Sequence, residues 1–242
     1  MKTLGIILAR AGSRGLPDKH LLPLLGRPVI EYTFGAALAA ERLDAVAVSS
    51  DCQRVLQMAE KRGIETIQRP AELATGEASV QETLLHALDA WCGRGKPRPE
   101  AIALLYGNVP LREDGLIDRA VHHLHETGCD SVRSFCPVGK WHPAWMSSLS
   151  GDAVQPMFAG SIDRRQDLTP LFLHDGGAVV VTTAALEASR DMPQDPHAFF
   201  GKDRRGIQTQ RGEVVEVDEL RDLLLAEAIF KERLQPRYKV AS

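Results

Sequence analysis

The feature that most constrains this chain is a junction near its start, where the apolar run Leu4 to Leu8 passes directly into Ala9-Arg-Ala-Gly-Ser-Arg-Gly-Leu-Pro-Asp-Lys-His20. An apolar run without polar alternation suits a strand buried on both faces, as in a parallel sheet covered by helices. The loop after it is small, flexible and basic, with Gly12, Ser13 and Gly15 beside Arg10, Arg14 and Lys19. Glycines let backbone N–H groups turn toward an anion, and guanidinium and ammonium groups add fixed positive charge. The junction therefore predicts a polyphosphate site at the rim of a sheet. Its spacing is not G-x-G-x-x-G and no G-K-[ST] follows, so neither the dinucleotide fingerprint nor the Walker cradle applies.

With 242 residues and 44% hydrophobic content, the chain is long enough for one large α/β domain and short for two, so a single domain over 1–242 is expected. A net charge of −3 gives no global attraction to nucleic acid or an anionic membrane, so basic residues act locally. The absence of an apolar run of transmembrane length, or of a cleavage-site pattern after the first strand, predicts a cytoplasmic protein. Cys52, Cys92, Cys129 and Cys136 lack C-x-x-C spacing and read as reduced thiols, and His122, His123 and His125 read as a solvated helix face rather than a zinc site.

Beyond the loop, helical spacing over Val29 to Leu38, a strand at Ala45–Ser49, a helix at Arg54–Lys61 ending at Gly63, and a strand at Ile64–Gln68 give β-α-β-α-β order. Such an order predicts parallel strands with right-handed crossovers and ligands at the strands' carboxyl ends. Ser49-Ser50-Asp51 and Arg69-Pro70 fall on the same rim as the loop. Ser79-x-x-Glu82 is a capping box opening a helix through Trp91. A strand at Ala101–Leu105 ends in Tyr106-Gly-Asn-Val-Pro-Leu-Arg112, a helix carries Leu116 to Leu124, and a strand spans Ser131–Val138. Periodicity then fails over 139–175, where Trp141, Trp145, Met146, Met157 and Phe158 need burial against the core or a second subunit. Ala178–Thr182 returns as a strand, Asp191–Asp203 reads as a loop, Val214–Val217 as a last strand, and Glu219–Leu234 as a closing helix.

The string Ala-Arg-x-Gly-Ser-Arg-Gly-Leu-Pro-x-Lys resembles the signature loop of the acylneuraminate cytidylyltransferases, which make CMP-activated sialic and related nonulosonic acids. Later segments resemble the family's motifs in order: Arg69-Pro-Ala-Glu-Leu-Ala74, Pro110-Leu-Arg112, Arg165-Gln166, Gly177-Ala178, Phe199-Phe200 and Glu216-x-Asp218. The resemblance implies a single Rossmann-like nucleotidyltransferase domain, a mostly parallel twisted sheet flanked by helices, with a dimerisation excursion over 139–175. It implies that CTP and a sugar acid give a CMP-sugar and pyrophosphate, the anomeric hydroxyl attacking the α-phosphate in line.

By the same resemblance, Leu8, Ala9, Arg10, Gly12, Ser13, Arg14, Gly15, Lys19 and His20 hold the nucleotide together with Arg69 and Ser79, and Thr75 and Ala78 line the base pocket. Arg10, Lys19 and Asp218 are the candidate catalytic residues. Tyr106, Asn108, Arg165, Gln166, Gly176, Gly177, Phe199 and Phe200 are candidates for the acceptor, with Arg165 clamping its carboxylate. Asp218 and Glu216 are candidate ligands of Mg²⁺, a hard ion that prefers oxygen donors and phosphates.

The chain departs from the family at His20 and Gly176, each in place of Asn, at Glu216 in place of Asp, and over Tyr106 to Val109, where Gln and two hydroxyls are lost. His20 reads equally as a proton-transfer aid and as a lost amide contact. Two further readings stay open: the same fold acting on an octulosonic acid or a phosphorylated sugar or alcohol, and a relative that binds nucleotide without turning it over.

Overall fold

The structure is a computed structural model that describes residues 2–12, 15–158 and 164–234; Ser13 and Arg14 of the glycine loop lie outside these, as does the side chain of Arg165. In chain order the main elements are β1 (Thr3–Leu8), α1 (Val29–Ala39), β2 (Ala45–Ser50), α2 (Gln53–Lys61), β3 (Glu65–Gln68), α3 (Val80–Gly93), β4 (Ala101–Tyr106), α4 (Leu116–Thr127), β5 (Ser131–Pro137), β6 (Phe172–Thr182), α5 (Thr183–Ala188), β7 (Arg204–Gln208) and α6 (Leu220–Leu234).

One seven-stranded sheet organises them, in the order β3-β2-β1-β4-β6-β5-β7. All neighbouring pairs are parallel except those made by β6, which runs antiparallel between β4 and β5. Every residue of β1 is buried, the expected state of a central strand covered on both faces. On one face Ile6, Leu104 and Val179 pack against Leu84, Leu88 and Trp91 of α3 and Leu186 of α5. On the other, Ile7, Val48 and Leu105 meet Ile30 and Phe34 of α1 and Val55 of α2, while Ala103 and Val180 meet Leu116 and Leu124 of α4.

Local signals set the boundaries. The Ser79 hydroxyl accepts from the Glu82 amide at 3.1 Å while the Glu82 carboxylate accepts from the Ser79 amide, closing the capping box of α3. Gly63 ends α2 at φ +72°, a conformation that favours glycine.

Two boundaries differ from the sequence reading. Val214–Val217 is not a sheet strand: the Val215 amide donates to the Leu111 carbonyl at 3.1 Å and the Val217 amide to that of Asn108 at 2.7 Å, so the segment pairs with the turn after β4. On this side the sheet's edge is β7, whose Arg, Arg, Gly, Ile, Gln lacks apolar alternation because one side of an edge strand faces solvent. In addition, β6 begins at Phe172, inside the non-periodic stretch, which also holds an exposed hairpin of Ser147–Ser150 and Ala153–Pro156.

Within β6 the pairing jumps: His174 faces Phe135 of β5 while Val179 faces Arg133, so five steps along β6 cover two along β5. Bulges of this kind aim backbone at functional sites. Here it carries Asp175, Gly176 and Gly177 toward the sheet's carboxyl rim.

Candidate active site

The carboxyl ends of β1, β2, β3 and β4 open onto one cleft of about 180 Å³, lined by Leu8, Arg10, Lys19, His20, Arg69, Leu73, Thr75, Ala78, Val80, Thr83, Tyr106, Asn108 and Glu216. This is below the roughly 300 Å³ of a closed small-molecule pocket, so the cleft encloses only part of a nucleotide-sized ligand.

The loop is tied down at several points. The Ala9 amide donates to the Ser49 carbonyl at 3.1 Å, the Ala11 amide to Asp51 Oδ1 at 2.7 Å, and Arg10 Nη1 to the Gly12 carbonyl at 3.1 Å. Arg69, almost fully buried, uses Nε and Nη2 on the Ser49 hydroxyl and carbonyl, which leaves Nη1 without a hydrogen-bond partner among the described residues. Burial, more than its neighbours, lowers the Arg69 pKa to about 10, so the guanidinium stays charged at neutral pH.

At the far wall, Lys19 Nζ lies 2.5 Å from Asp218 Oδ1, and a Cβ on Gly15 would sit 3.0 Å from the Asp218 carbonyl. Although about 200 residues apart in sequence, the loop and Asp218 therefore share one rim. Asn108 joins them: its Nδ2 donates to Glu216 Oε1 at 3.1 Å, to the Val217 carbonyl at 3.2 Å and to Asp218 Oδ1 at 3.1 Å. The misassigned 214–217 segment thus still delivers both carboxylates to one point, by pairing with the β4 turn rather than with the sheet.

Burial and then the nearby Asp218 charge raise the Glu216 pKa, the mark of two acidic groups crowded together. Among the described residues no cluster of three or more potential metal-ligating His, Cys, Asp or Glu side chains exists. Two carboxylates at an open rim fit Mg²⁺, which takes one or two protein carboxylates and completes its shell with water and phosphate oxygens.

His20 forms a buried part of the wall. Burial, followed by the charges of Lys19 and Arg69, holds its pKa near 3, and a hydrogen bond to the Arg10 backbone offsets only part of this. At about 3 that pKa leaves the imidazole neutral at physiological pH. Gly107 makes room for it: a Cβ there would stand 2.5 Å from Ile30 Cδ1 and 3.0 Å from His20 Cδ2.

Several predicted site residues lie elsewhere or serve the scaffold. The Ser79 hydroxyl is engaged in the α3 cap and its neighbours Ala78 and Val80 line the cleft instead. Phe199 and Phe200 are buried in the core, their ring centroids 4.1 Å apart, and neither lines the cleft; a pair of aromatics carries no local signal separating core from pocket. Gln166 is exposed in the short turn Arg165–Asp167 and does not line the cleft, while the Arg165 side chain lies outside the described residues. Gly176, at φ +72°, leaves space for Glu216, whose Oε2 would be 3.3 Å from a Cβ there. A Cβ on Gly177 would come within 2.7 Å of Val214 and 2.8 Å of Leu116.

Sequence reasoning missed the organising role of Arg112. Fully enclosed, it donates to the carbonyls of Gly177 at 2.8 Å, Tyr106 at 2.8 Å and Val109, and to the Thr33 hydroxyl at 3.0 Å. The signal was present: an Arg directly after Pro-Leu at a strand end, in a turn with carbonyls to satisfy.

A glycine-rich cationic loop after the first strand and paired carboxylates on the same rim of a mostly parallel α/β sheet define a nucleotide-handling enzyme fold. Residues 4–213 match the family model described as cytidylyltransferase. The chain belongs to this cytidylyltransferase family. It is 34% identical over 184 residues to the N-acylneuraminate cytidylyltransferase of Streptococcus agalactiae serotype III (strain NEM316), an alignment covering 74% of this chain and 43% of that protein. This chain accordingly spans less than half the length of that relative. The pseudaminic acid cytidylyltransferase of Campylobacter jejuni (strain ATCC 700819 / NCTC 11168) is 26% identical over 235 residues, covering 96% of this chain and 97% of that one. The solved structure of CMP:2-keto-3-deoxy-manno-octonic acid synthetase complexed with CTP superposes with a TM-score of 0.73 at 19% identity, over 97% of this chain and all of that one, a likeness of fold.

Proposed function

We propose that this protein transfers CMP from CTP to the anomeric hydroxyl of a sugar acid of the nonulosonic, sialic-acid-like class and releases pyrophosphate. The observation that carries the reading is the meeting of the basic loop with Asp218 through Lys19, because a phosphate tail and a cation must be held at one rim. The family's relatives named for N-acylneuraminate and pseudaminic acid support the acceptor class.

In this reading the bond from the α-phosphorus to the pyrophosphate oxygen breaks as the sugar oxygen bonds to phosphorus, and the hydroxyl proton leaves to solvent. Arg10, Lys19 and Arg69 neutralise the triphosphate, His20 supplies a neutral hydrogen bond, and the backbone of Leu8, Ala9, Gly12 and Gly15 leaves room for it; Ser13 and Arg14 belong to the same loop. Tyr106 and Asn108 face the acceptor. Glu216 and Asp218 would hold Mg²⁺, which when bound neutralises charge on the phosphate oxygens. Catalysis is then mainly positioning and charge stabilisation.

Assembly as a homodimer through 139–175 is part of the proposal. It is supported by exposed Trp141, Met146, Leu149, Val154, Met157 and Phe158 in one excursion. Dependence on CTP, a cytoplasmic metabolite, supports a cytoplasmic location.

The test is pyrophosphate release with CTP, ATP, GTP and UTP, with and without Mg²⁺, against a panel of N-acetylneuraminate, legionaminate, pseudaminate and 3-deoxy-manno-octulosonate. CTP-specific, Mg²⁺-dependent release with a nine-carbon acid is expected. Preference for the octulosonate moves the acceptor, and CTP binding without release from any acceptor rejects catalysis.

A further inference from the structure

On the sheet face that carries Tyr106, the Arg133 guanidinium has no anionic partner among the described residues. Arg133 and Phe135 are two apart on β5 and so project to the same side. The Arg133 guanidinium carbon lies 4.4 Å from the centroid of the Phe200 ring and 5.1 Å from that of Phe135. Arg204 approaches the same Phe200 ring at 5.9 Å. Arg204 donates to the carbonyls of Gly201 and His197, and Arg205 pairs with Asp203. Arg133 makes no hydrogen bond or ion pair among the described residues.

A partly buried guanidinium beside a second one, with five N–H donors and no acceptor, is unfavourable unless something anionic completes it. The aromatic faces attract the cation but accept none of its in-plane hydrogens. Val179 of β6 pairs with Arg133 of β5 on one side and with Leu104 of β4 on the other, which sets Arg133 on the sheet face of Leu104 and Tyr106, and burial with the Arg204 charge pushes the Arg133 pKa down. Tyr106 lines the cleft, so Arg133 lies beyond it on the side away from the phosphate loop.

We propose that Arg133 binds the carboxylate of the acceptor sugar acid, its planar fork aimed by the Phe135 and Phe200 rings and walled by Tyr106. The assignment rests on the sugar-acid reading above and replaces Arg165 as the carboxylate clamp. A flat, two-oxygen anion is the partner that a guanidinium meets with paired hydrogen bonds, which a lysine in the same place does not reproduce.

The test compares wild type with Arg133→Met and Arg133→Lys, using the panel acid of lowest KM and its methyl ester. In Arg133→Met the acceptor KM rises about tenfold or more, as for a lost charge-assisted hydrogen bond, while the KM for CTP stays within about twofold. Wild type discriminates against the ester by a similar factor and Arg133→Met does not; Arg133→Lys recovers part of the loss. An unchanged acceptor KM in Arg133→Met, with cytidylyl transfer intact, overturns the assignment and leaves the function standing. If wild type turns over no sugar acid, the functional reading falls, and calorimetric titration of N-acetylneuraminate and its methyl ester decides the anion site by itself. Binding of the acid but not the ester, lost in Arg133→Met, supports the site; equal or absent binding rejects it.

Discussion

His20 is packed against Gly107 and flanked by Lys19 and Arg69, and that setting holds its folded-state pKa near 3 against about 6.5 in the unfolded chain. Between those values the unfolded chain binds the extra proton, so stability rises with pH through this window and is lost as pH falls below about 6.5. Each pH unit well below 6.5 removes about 1.4 kcal/mol, or about 2 kcal/mol by pH 5. His20→Asn abolishes this component. Melting curves at pH 7 and pH 5 are expected to show a drop about 4–8 °C smaller in His20→Asn than in wild type. Equal drops would mean that the imidazole titrates freely. Because the ring stays neutral, the pH profile of kcat/KM should carry no limb from it near 6.5.

At the level of elements, the β6 bulge borders Glu216 through Gly176. Asp175 pins it: Oδ1 accepts from the Ser134 hydroxyl and, at 3.0 Å, from the Gly177 amide, while Oδ2 accepts from the Thr209 hydroxyl just after β7. Asp175→Ala leaves the Gly177 amide and the Thr209 hydroxyl without an acceptor, while the Ser134 hydroxyl keeps the Ala178 carbonyl at 3.3 Å, and is expected to destabilise the fold by about 2–4 kcal/mol, read as a lower urea midpoint at constant m. Asp175→Asn keeps part of the acceptance and should lose about half as much. Both should lower kcat more than they raise the KM for CTP, since Gly176 borders Glu216 rather than the loop. A midpoint shift below about 0.5 kcal/mol in the Ala variant would show that the bulge is held by other means. This arrangement could not be read from the chain, because Asp175, Ser134 and Thr209 meet only through a register jump. What could be read was local: the buried runs of β1 and β4, the Ser79–Glu82 cap and the stop at Gly63. Strand β7 was hidden because Arg204, Arg205 and Gly206 show no burial pattern. Val214–Val217 misled because its alternation serves pairing with a turn. The glycine loop and both carboxylates were visible as residue types; their convergence on Asn108 is a tertiary fact.

For the whole molecule, the cleft and the proposed assembly surface are separable. The cleft is lined by residues up to Asn108 and by Glu216, whereas seven of the exposed large apolar residues lie between Trp141 and Phe158. Within the hairpin, Leu149 pairs directly with Val154, and the two are 71% and 63% exposed, side by side on a two-stranded ribbon. Covering such side chains in a subunit contact yields about 1.5–3 kcal/mol each, so charging both should weaken association at least about 100-fold. Sedimentation equilibrium of wild type is expected at about twice the 26.5 kDa chain mass, and of a Leu149→Lys, Val154→Lys double variant near the single-chain mass at the same concentration. Because neither position borders the cleft, the double variant should bind CTP as wild type does, measured by calorimetry. A variant that associates like wild type would move the interface elsewhere. Loss of CTP binding together with the dimer would instead mean that the partner subunit helps to hold the loop or the carboxylates in place.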